Sequence, residues 1–343
     1  MRLEILPVEG IGDVTPGDDL AELITGAAPW LRDDDVLVVT SKIVSKAEGR
    51  LVEVPADGPE RDEARVRALE SETARVVARR GPTTIVQTHH GFVMAAAGID
   101  ASNVDKTHLV LLPADSDASA RRLRADLAAR GLDVAVIVSD TMGRAWRNGL
   151  TDVALGASGI DALLDHRGEI DPYGNELSLT QMAVVDELSA AAELVKGKCD
   201  QVPVAVVRGY PRRVSDADAG VRVLIRDAES DMFGLGTAEA HAQGLRDAAV
   251  ITDAAQVGDF ADPEAGMAAA QRALELVGDV ATPGTQIVGS FDHMRLTPGG
   301  DEPAGLIRLG VIAHRLRAAL AAEGFATRLE IDDQGATLRF GEA

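Results

Sequence analysis

The chain has 343 residues, 46% of them hydrophobic, so it can bury a substantial core and is predicted to form roughly two or three compact units. Acidic residues outnumber basic residues by 55 to 34, and the net charge of −21 argues against nucleic acid or an anionic membrane as the main partner. Cys199 is the single cysteine, which excludes an intrachain disulfide and a thiolate metal cluster. We expect a cytoplasmic protein, because neither a signal-peptide core nor a run of roughly 18 apolar residues is found.

Short apolar runs alternate with amphipathic stretches along the first two thirds of the chain, which predicts a mixed α/β (α+β) fold. The apolar runs are nearly continuous in Val, Ile and Leu, a pattern typical of strands covered on both faces. The predicted strands are 35–40, 83–88, 91–98, 108–113, 133–140 and 202–209. Helical patterns occupy 58–80, 117–130 and 179–196.

The pattern changes near residue 245. Two helices are predicted within 262–279 and 304–325, and residues 326–342 alternate around Asp-Asp-Gln-Gly like a terminal hairpin. We therefore expect a core of residues 1–245 and a small α/β C-terminal extension of residues 246–343, whose role is open.

Lysine is rare in this chain, and four of the five lysines lie in two short stretches. In the first, VVTSKIVSKAEG, a strand is followed by a short helix in which Ser41 is suited to cap the start and Gly49 to follow the end. Lys42 and Lys46 would share one face of that helix. An anion at the helix start would meet free backbone N–H groups and ammonium groups together; a solvated face is the alternative.

The second stretch, LVKGKCDQ, contains Lys196 and Lys198. Lysine before Gly197 is also typical of an ordinary helix C-terminus. The clustering of both pairs nevertheless favours a role in binding an anion, since the average surface would repel one.

Two predicted strands end in aspartate, at Asp100 and Asp140, and Thr141 follows the second. Carboxylates with a hydroxyl group suit Mg²⁺ or Mn²⁺ together with substrate phosphates, whereas capping of the next segment is the alternative. Arg144 and Arg147 flank a tryptophan in a glycine-bracketed loop and offer bidentate forks for carboxylate or phosphate. Neither a P-loop nor a G-x-G-x-x-G motif is found, so a nucleotide would bind elsewhere.

Seven motifs, taken in order, resemble the coenzyme F-420 gamma-glutamyl ligase family, especially its actinobacterial members. They are PGDDL, APWLRDDDVLVVTSKIVSKAEGRLV, AAAGIDASNV, SDTMGRAWRNGLTDVALGASGI, DPYGNEL, DELSAAAELVKGK and PVAVVRG, which cover residues 1 to about 245. The resemblance implies a non-Rossmann gamma-glutamyl ligase fold with mixed sheets that forms an intertwined homodimer.

The family resemblance also implies site residues. The loop from Gly10 through Ile11 and Gly12 to Asp13, together with Ser41, Lys42, Lys46 and Asn103, would contact GTP. Asp100 and Asp140 would bind one divalent metal ion, and Thr141 a second. Arg144 and Arg147 are assigned from their chemistry alone, as groups that hold the carboxylates of glutamate or the phosphodiester of the coenzyme.

The implied reaction is GTP-dependent addition of L-glutamate to the deazaflavin coenzyme precursor, followed by gamma-linked extension, with two Mg²⁺ or Mn²⁺ ions and often K⁺. An acyl phosphate would form first, and GDP and phosphate would be released. The tail does not match the flavin-binding domain of mycobacterial relatives, so FMN is not expected. Two alternatives remain from the residues alone: a metal-dependent nucleotide phosphohydrolase and a non-catalytic acidic assembly protein.

Overall fold

The computed structural model describes residues 2–102, 104–198, 200–212, 214, 219–227, 229–278, 285–300 and 303–343. The chain divides into two compact units, Met1–Ala238 and Glu239–Ala343. Helices and mixed sheets occur together, which confirms the α+β class expected from the sequence.

The first unit contains five α-helices among its described residues: α1 (Leu20–Ala27), α2 (Ser41–Ala47), α3 (Pro59–Glu72), α4 (Ser116–Ala129) and α5 (Val184–Lys196). Its strands are β1 (Glu4–Val8), β2 (Val36–Thr40), β3 (Leu51–Glu53), β4 (Thr73–Arg80), β5 (Thr83–Thr88), β6 (Val93–Ala95), β7 (His108–Val110), β8 (Ala135–Arg144), β9 (Arg147–Ser158), β10 (Leu163–Asp165), β11 (Gln181–Ala183) and β12 (Val204–Arg208). Short 3-10 helices lie at Ala96–Gly98 and Gly220–Leu224, and α6 (Thr237–Ala249) contains the division between the units.

A five-stranded sheet in the order β1-β12-β2-β8-β9 forms the centre of the first unit. The apolar runs 35–40, 133–140 and 202–209 provide β2, β8 and β12, which confirms those strand predictions. Apolar side chains of α1, α2 and α4 cover one face of the sheet, and those of α5 cover the other. Only β2 and β8 pair in parallel, so the sheet is mixed and differs from a Rossmann fold.

One end of this sheet gathers several chain segments. Thr40, the last residue of β2, lies opposite Ser139 of the parallel strand β8. The N–H of Thr40 also donates to the carbonyl oxygen of Pro203, just before antiparallel β12 begins, at 2.9 Å. Helix α2, the outer part of β8 and the segment between α5 and β12 therefore meet at this end.

The helix predicted over 58–80 is correct only in its first part. Helix α3 ends at Glu72, and Thr73–Arg80 is the strand β4, which pairs with β5 antiparallel. Thr73, Val76 and Val77 are β-branched residues that favour a pleated surface, and pairing with β5 supplies the hydrogen bonds that a helix would have made. The amphipathic pattern of the preceding residues concealed this change.

The second unit packs α7 (Pro263–Val277) and α8 (Pro303–Ala322) on an antiparallel sheet. Its strands β13 (Gln286–Gly289), β14 (His293–Thr297), β15 (Ala326–Asp332) and β16 (Gly335–Gly341) lie in the order β13-β14-β16-β15. Both predicted helices and the terminal hairpin are confirmed. At the hairpin turn, a Cβ on Gly335 would lie 2.1 Å from the carbonyl oxygen of Leu296, so glycine is required there. Within the described residues, no helix has both the length and the apolar character to cross a membrane.

Candidate functional site

A cavity of about 540 Å³ lies at the end of the central sheet where β2 passes into α2. Its wall includes Lys42 and Lys46 from α2, and Lys196 and Lys198 from the end of α5 and the residues that follow. Four of the five lysines therefore surround one space. The fifth, Lys106, is exposed and does not line the cavity.

Lys46 faces the loop expected to bind nucleotide. Its Nζ lies 2.7 Å from Asp13 Oδ1; the lysine side chain is 9% exposed, whereas that of Asp13 is 84% exposed. Ile11 and Gly12 line the same wall, and Gly10 precedes them with φ of 85°, a conformation that favours glycine. Because Asp13 is almost fully solvated, its ion pair is worth little, and an anionic ligand can displace it at low cost.

Lys42 connects the cavity to the predicted metal ligands. Its Nζ lies 2.7 Å from Asp100 Oδ2 and donates to Ser102 Oγ at 2.9 Å. Burial acts to raise the pKa of Asp100, but hydrogen bonds from Lys42 and Ser102 outweigh burial and hold that pKa below its ordinary value. Asp100 is therefore ionised and held in place at the edge of the site.

Asp140 is the most perturbed carboxyl group of this region. Burial, with the nearby charges of Asp152 and Asp100, raises its pKa to about 6, against the effect of the Thr141 backbone N–H, which donates to it at 2.8 Å. The alternative was that Asp140 and Asp100 each cap the segment that follows. Strand β8 continues through Asp140 to Arg144, so no new segment begins after Asp140, whereas Asp100 accepts the backbone N–H of Ser102 at 2.7 Å, as that alternative expects. A buried carboxylate next to other carboxylates is a group that a cation would stabilise.

A buried ion pair lies beneath the cavity and was not identified from the sequence. Lys196 Nζ contacts Asp152 Oδ2 at 2.8 Å and Ser139 Oγ at 3.0 Å, with 3% and 2% of the lysine and aspartate side chains exposed. Burial acts to raise the pKa of Asp152, and the Lys196 charge reverses this and lowers it. The sequence feature that could have indicated this ion pair is Asp152, a charged residue immediately before the apolar run VALGA of β9.

Thr141 lies between this ion pair and the exposed side chain of Lys198. Its hydroxyl donates to Asp152 Oδ1 at 2.7 Å and accepts a hydrogen bond from Lys198 Nζ. Lys198 also lies 2.5 Å from Glu193 Oε1, and its side chain is 62% exposed. The hydroxyl predicted to bind a second metal ion therefore contacts an ammonium group.

The donor set fits one divalent cation better than a preformed metal cluster. Asp100 and Asp140 supply two carboxylates, and no side chain among the described residues is bonded to Asp140. Among the described residues, no group of three or more His, Cys, Asp or Glu side chains is arranged to hold a metal ion by itself. Mg²⁺ is commonly bound by one or two carboxylates with water and substrate phosphates, which suits this pair.

The predicted arginines lie elsewhere. Arg144 ends β8 and Arg147 begins β9, at the exposed tip of the hairpin, and neither lines the cavity. Arg144 donates to the carbonyl oxygen of Asn148 at 3.2 Å. Between them, Trp146 has φ of 57° and packs edge-on against Phe233, with ring centroids 4.8 Å apart. The chain itself does not bring these arginines to the lysines.

Two further predicted residues have different outcomes. Ser41 is buried and is the first residue of α2, so the residue before the helix is Thr40 rather than the predicted Ser41. Asn103 lies outside the described residues.

Most of the first unit is similar in sequence to known proteins. The sequence profile described as F420-0:Gamma-glutamyl ligase matches residues 10–209. A protein of Methanothermobacter thermautotrophicus named coenzyme F420:L-glutamate ligase is 40% identical over 250 residues, which covers 68% of this chain and 99% of the relative. Proteins of the same name from Methanopyrus kandleri (40% over 248 residues, 68% and 97% covered) and Haloarcula marismortui (41% over 250 residues, 67% and 95% covered) match similarly.

Proposed function

We propose a function for this chain from its family: it belongs to the F420-0:gamma-glutamyl ligase family. The proposal is that it uses GTP to ligate L-glutamate to the coenzyme F420 precursor. Further glutamates would then be added through gamma linkages. Membership of the family makes the protein an amide-bond-forming ligase. The observation that supports the finer proposal is the convergence of four rare lysines at one cavity, where Lys42 is also paired with Asp100.

The cavity suits a polyphosphate although the chain is strongly acidic. Lys46 and Lys198 are paired with the exposed Asp13 and the partly exposed Glu193, and these pairs can open to admit phosphate oxygens. The pair of Lys196 and Asp152 is nearly inaccessible and is expected to remain closed. Lys46, Lys198 and Lys42 are therefore the proposed nucleotide ligands among the lysines, and Lys196 supports the wall.

Asp100 and Asp140 would hold the divalent ion, Mg²⁺ or Mn²⁺, which would neutralise charge on the phosphates when bound. Binding of a cation there would keep Asp140 ionised at neutral pH, in spite of its raised pKa.

The proposed reaction has two steps. A carboxylate oxygen of the acceptor attacks the gamma-phosphorus of GTP, the bond to the bridging oxygen breaks, and GDP leaves as the acyl phosphate forms. The glutamate amine then attacks the acyl carbon, loses a proton, and displaces inorganic phosphate to leave the amide. Lys42 and Lys46 act by electrostatic stabilisation of the phosphates, the main contribution of protein groups in phosphoryl transfer.

The roles of Arg144 and Arg147 are proposed from their guanidinium chemistry. Each can grip a carboxylate of glutamate or the phosphodiester of the coenzyme through two parallel hydrogen bonds. The proposal also includes a requirement for K⁺, which the family resemblance implies.

We also propose that the active form is a homodimer. Several large side chains of the first unit are exposed, among them Trp146 at 82%, Tyr173 at 92% and Leu179 at 89%. Exposed aromatic and large apolar side chains are enriched at protein interfaces. Light scattering on the purified chain measures the mass directly, and a monomer at micromolar concentration would contradict this part.

The decisive experiment is incubation of the purified protein with the unglutamylated coenzyme, GTP, Mn²⁺ and L-glutamate, followed by mass spectrometry of the products. Mass increments of one or more glutamyl units that require GTP are expected. Phosphate release from GTP without glutamate incorporation would instead support the phosphohydrolase alternative and contradict the proposal.

A further inference from the structure

We infer that Asp152 is a positioning residue: its buried carboxylate takes the hydrogen of the Thr141 hydroxyl and so holds the oxygen of that hydroxyl as an acceptor for a cation in the cavity. The inference rests on the proposed function, and it gives a role to a buried charge that the proposed reaction does not use. The reasons are the place of Asp152 in the sheet, its hydrogen bonds, and the cation that contacts Thr141 in this structure.

Asp152 lies directly opposite Thr141 on the neighbouring strand. Strands β8 and β9 are antiparallel, and Thr141 pairs with Asp152 in their register. Side chains at paired positions point to the same face of a sheet and lie close together. The pairing of two strands therefore brings the carboxylate to the hydroxyl, which donates to Asp152 Oδ1 at 2.7 Å.

The carboxylate of Asp152 is itself held in one orientation. Its Oδ2 accepts hydrogen bonds from Ser139 Oγ at 2.9 Å and from Lys196 Nζ at 2.8 Å. Lys196 also contacts Ser139 Oγ at 3.0 Å and Glu193 Oε2 at 3.3 Å, so its three hydrogens all have acceptors. Because only 3% of the lysine and 2% of the aspartate side chain are exposed, water does not compete for these contacts. Oδ1 therefore stays directed at Thr141.

The direction of this hydrogen bond decides what Thr141 offers to a ligand. A threonine hydroxyl has one hydrogen and two lone pairs, so it can donate to one acceptor at a time. A carboxylate is a stronger acceptor than a neutral oxygen, and it takes that hydrogen. Thr141 lines the cavity, so it presents lone pairs there. Its oxygen is therefore suited to a cation and has no hydrogen to give to a phosphate.

A cation already lies at this oxygen. The Lys198 ammonium group donates to the Thr141 hydroxyl, and the lysine side chain is 62% exposed. A solvated ammonium group can be displaced at small cost. Threonine hydroxyls are also ligands of Mg²⁺ at phosphate sites, and the family resemblance implies a divalent ion at Thr141. The same oxygen thus serves the ammonium group in this structure and a divalent ion in the complex with nucleotide.

Replacing Asp152 with asparagine is expected to reverse the polarity of Thr141. Lys196 and Ser139 both direct hydrogens at the Oδ2 position, so the asparagine places its carbonyl oxygen there and its NH₂ group next to Thr141. The NH₂ group donates to the hydroxyl oxygen, whose own hydrogen then turns towards the cavity. Cation affinity should fall by about 10- to 100-fold, as it does when other groups that orient a metal ligand are lost.

The test is a two-by-two comparison in the full-length protein. Mn²⁺ is titrated with a non-hydrolysable GTP analogue present, and free Mn²⁺ is followed by electron paramagnetic resonance. Asp152→Asn and Thr141→Val should each weaken the binding of one Mn²⁺ ion by about tenfold or more. Thr141→Ser, which keeps the hydroxyl, and the exposed control Asp126→Asn should match wild type. In the Thr141→Val background, Asp152→Asn should cost less than about threefold, because Asp152 acts through the hydroxyl.

This comparison separates positioning from simple attraction. A carboxylate that only attracts the cation would cause the same loss in both backgrounds, and equal losses would overturn the inference. Wild-type affinity in Asp152→Asn or in Thr141→Val would overturn it as well and leave the proposed function intact. No Mn²⁺ binding by wild type with the analogue would refute both together. Lys196→Met/Asp152→Asn retains neither charge of the buried pair, so it repeats the comparison if Asp152→Asn alone does not fold.

Discussion

Replacing Asp140 with asparagine should stabilise the metal-free protein at neutral pH while abolishing its response to Mn²⁺. The pKa of Asp140 is raised from 3.8 to about 6, mainly by burial. That difference corresponds to about 3 kcal/mol against the ionised folded state, and because the side chain is partly accessible we expect about 1–3 kcal/mol. Asparagine keeps the size of the side chain and can still accept the hydrogen bond from the Thr141 N–H.

The sign of the pH dependence follows from proton binding. Between pH 3.8 and about 6 the folded state of wild type holds more protons at Asp140 than the unfolded state does, so its contribution to stability rises as the pH falls through this window. At pH 8 the unfavourable contribution is fully present. The stability difference between Asp140→Asn and wild type should therefore be large at pH 8 and vanish near pH 4.

The assay is urea unfolding with a chelator at several pH values, repeated with increasing Mn²⁺. Wild type should be stabilised by Mn²⁺ and the variant should not, since binding to the folded state is what raises stability. Asp126→Asn, at an exposed position on α4, is the matched control and should behave as wild type. Lower stability of Asp140→Asn at pH 8, or an unchanged response to Mn²⁺, would refute the reasoning.

Further predictions concern the lysines and the second unit. Lys46→Ala should weaken GTP binding by about 10- to 150-fold through loss of a charge-assisted contact, measured by calorimetry, and affinity equal to that of the control Lys106→Ala would contradict its role. Lys196→Met should destabilise the protein by about 3–5 kcal/mol in urea unfolding, because it removes the buried partner charge of the Asp152 carboxylate and leaves only Lys198, at 4.0 Å. Adding Asp152→Asn should recover part of that loss, and no recovery would argue against the ion pair as the cause. A chain truncated after residue 238 should keep its affinity for GTP and Mn²⁺, because the family profile ends at residue 209; loss of either affinity would show that the second unit contributes to the site.

Some of the residues predicted from the sequence to form the site line the cavity, and others do not. Ile11, Gly12, Asp13, Lys42 and Lys46 line the cavity. The expected metal ligands Asp100 and Asp140 are not among the lining residues, and Asp100 pairs with Lys42. Motifs with the right residue types could be found from the sequence because each motif is short and local. The distance between motifs depends on how strands pair, which local pattern does not specify.

Strand β4 illustrates the same limit. The sequence TARVVARR continues a helical pattern, yet it forms a strand because β5 lies beside it and supplies hydrogen-bond partners. Local propensity is a weak preference that tertiary contacts override. The terminal hairpin, by contrast, was recognised because its turn and both of its strands are adjacent in the chain.

The sequence by itself determined the α+β class, the buried strands of the central sheet and the presence of two lysine pairs, since these depend on composition and local period. The tertiary structure alone decided that Lys196 is buried against Asp152, that Lys198 contacts the Thr141 hydroxyl, and that Arg144 lies at a hairpin tip away from the cavity. The physical reason is that the role of a charged side chain depends on its burial and on its nearest opposite charge. Both are set by segments that are distant in the chain and meet at the end of β2 and β8.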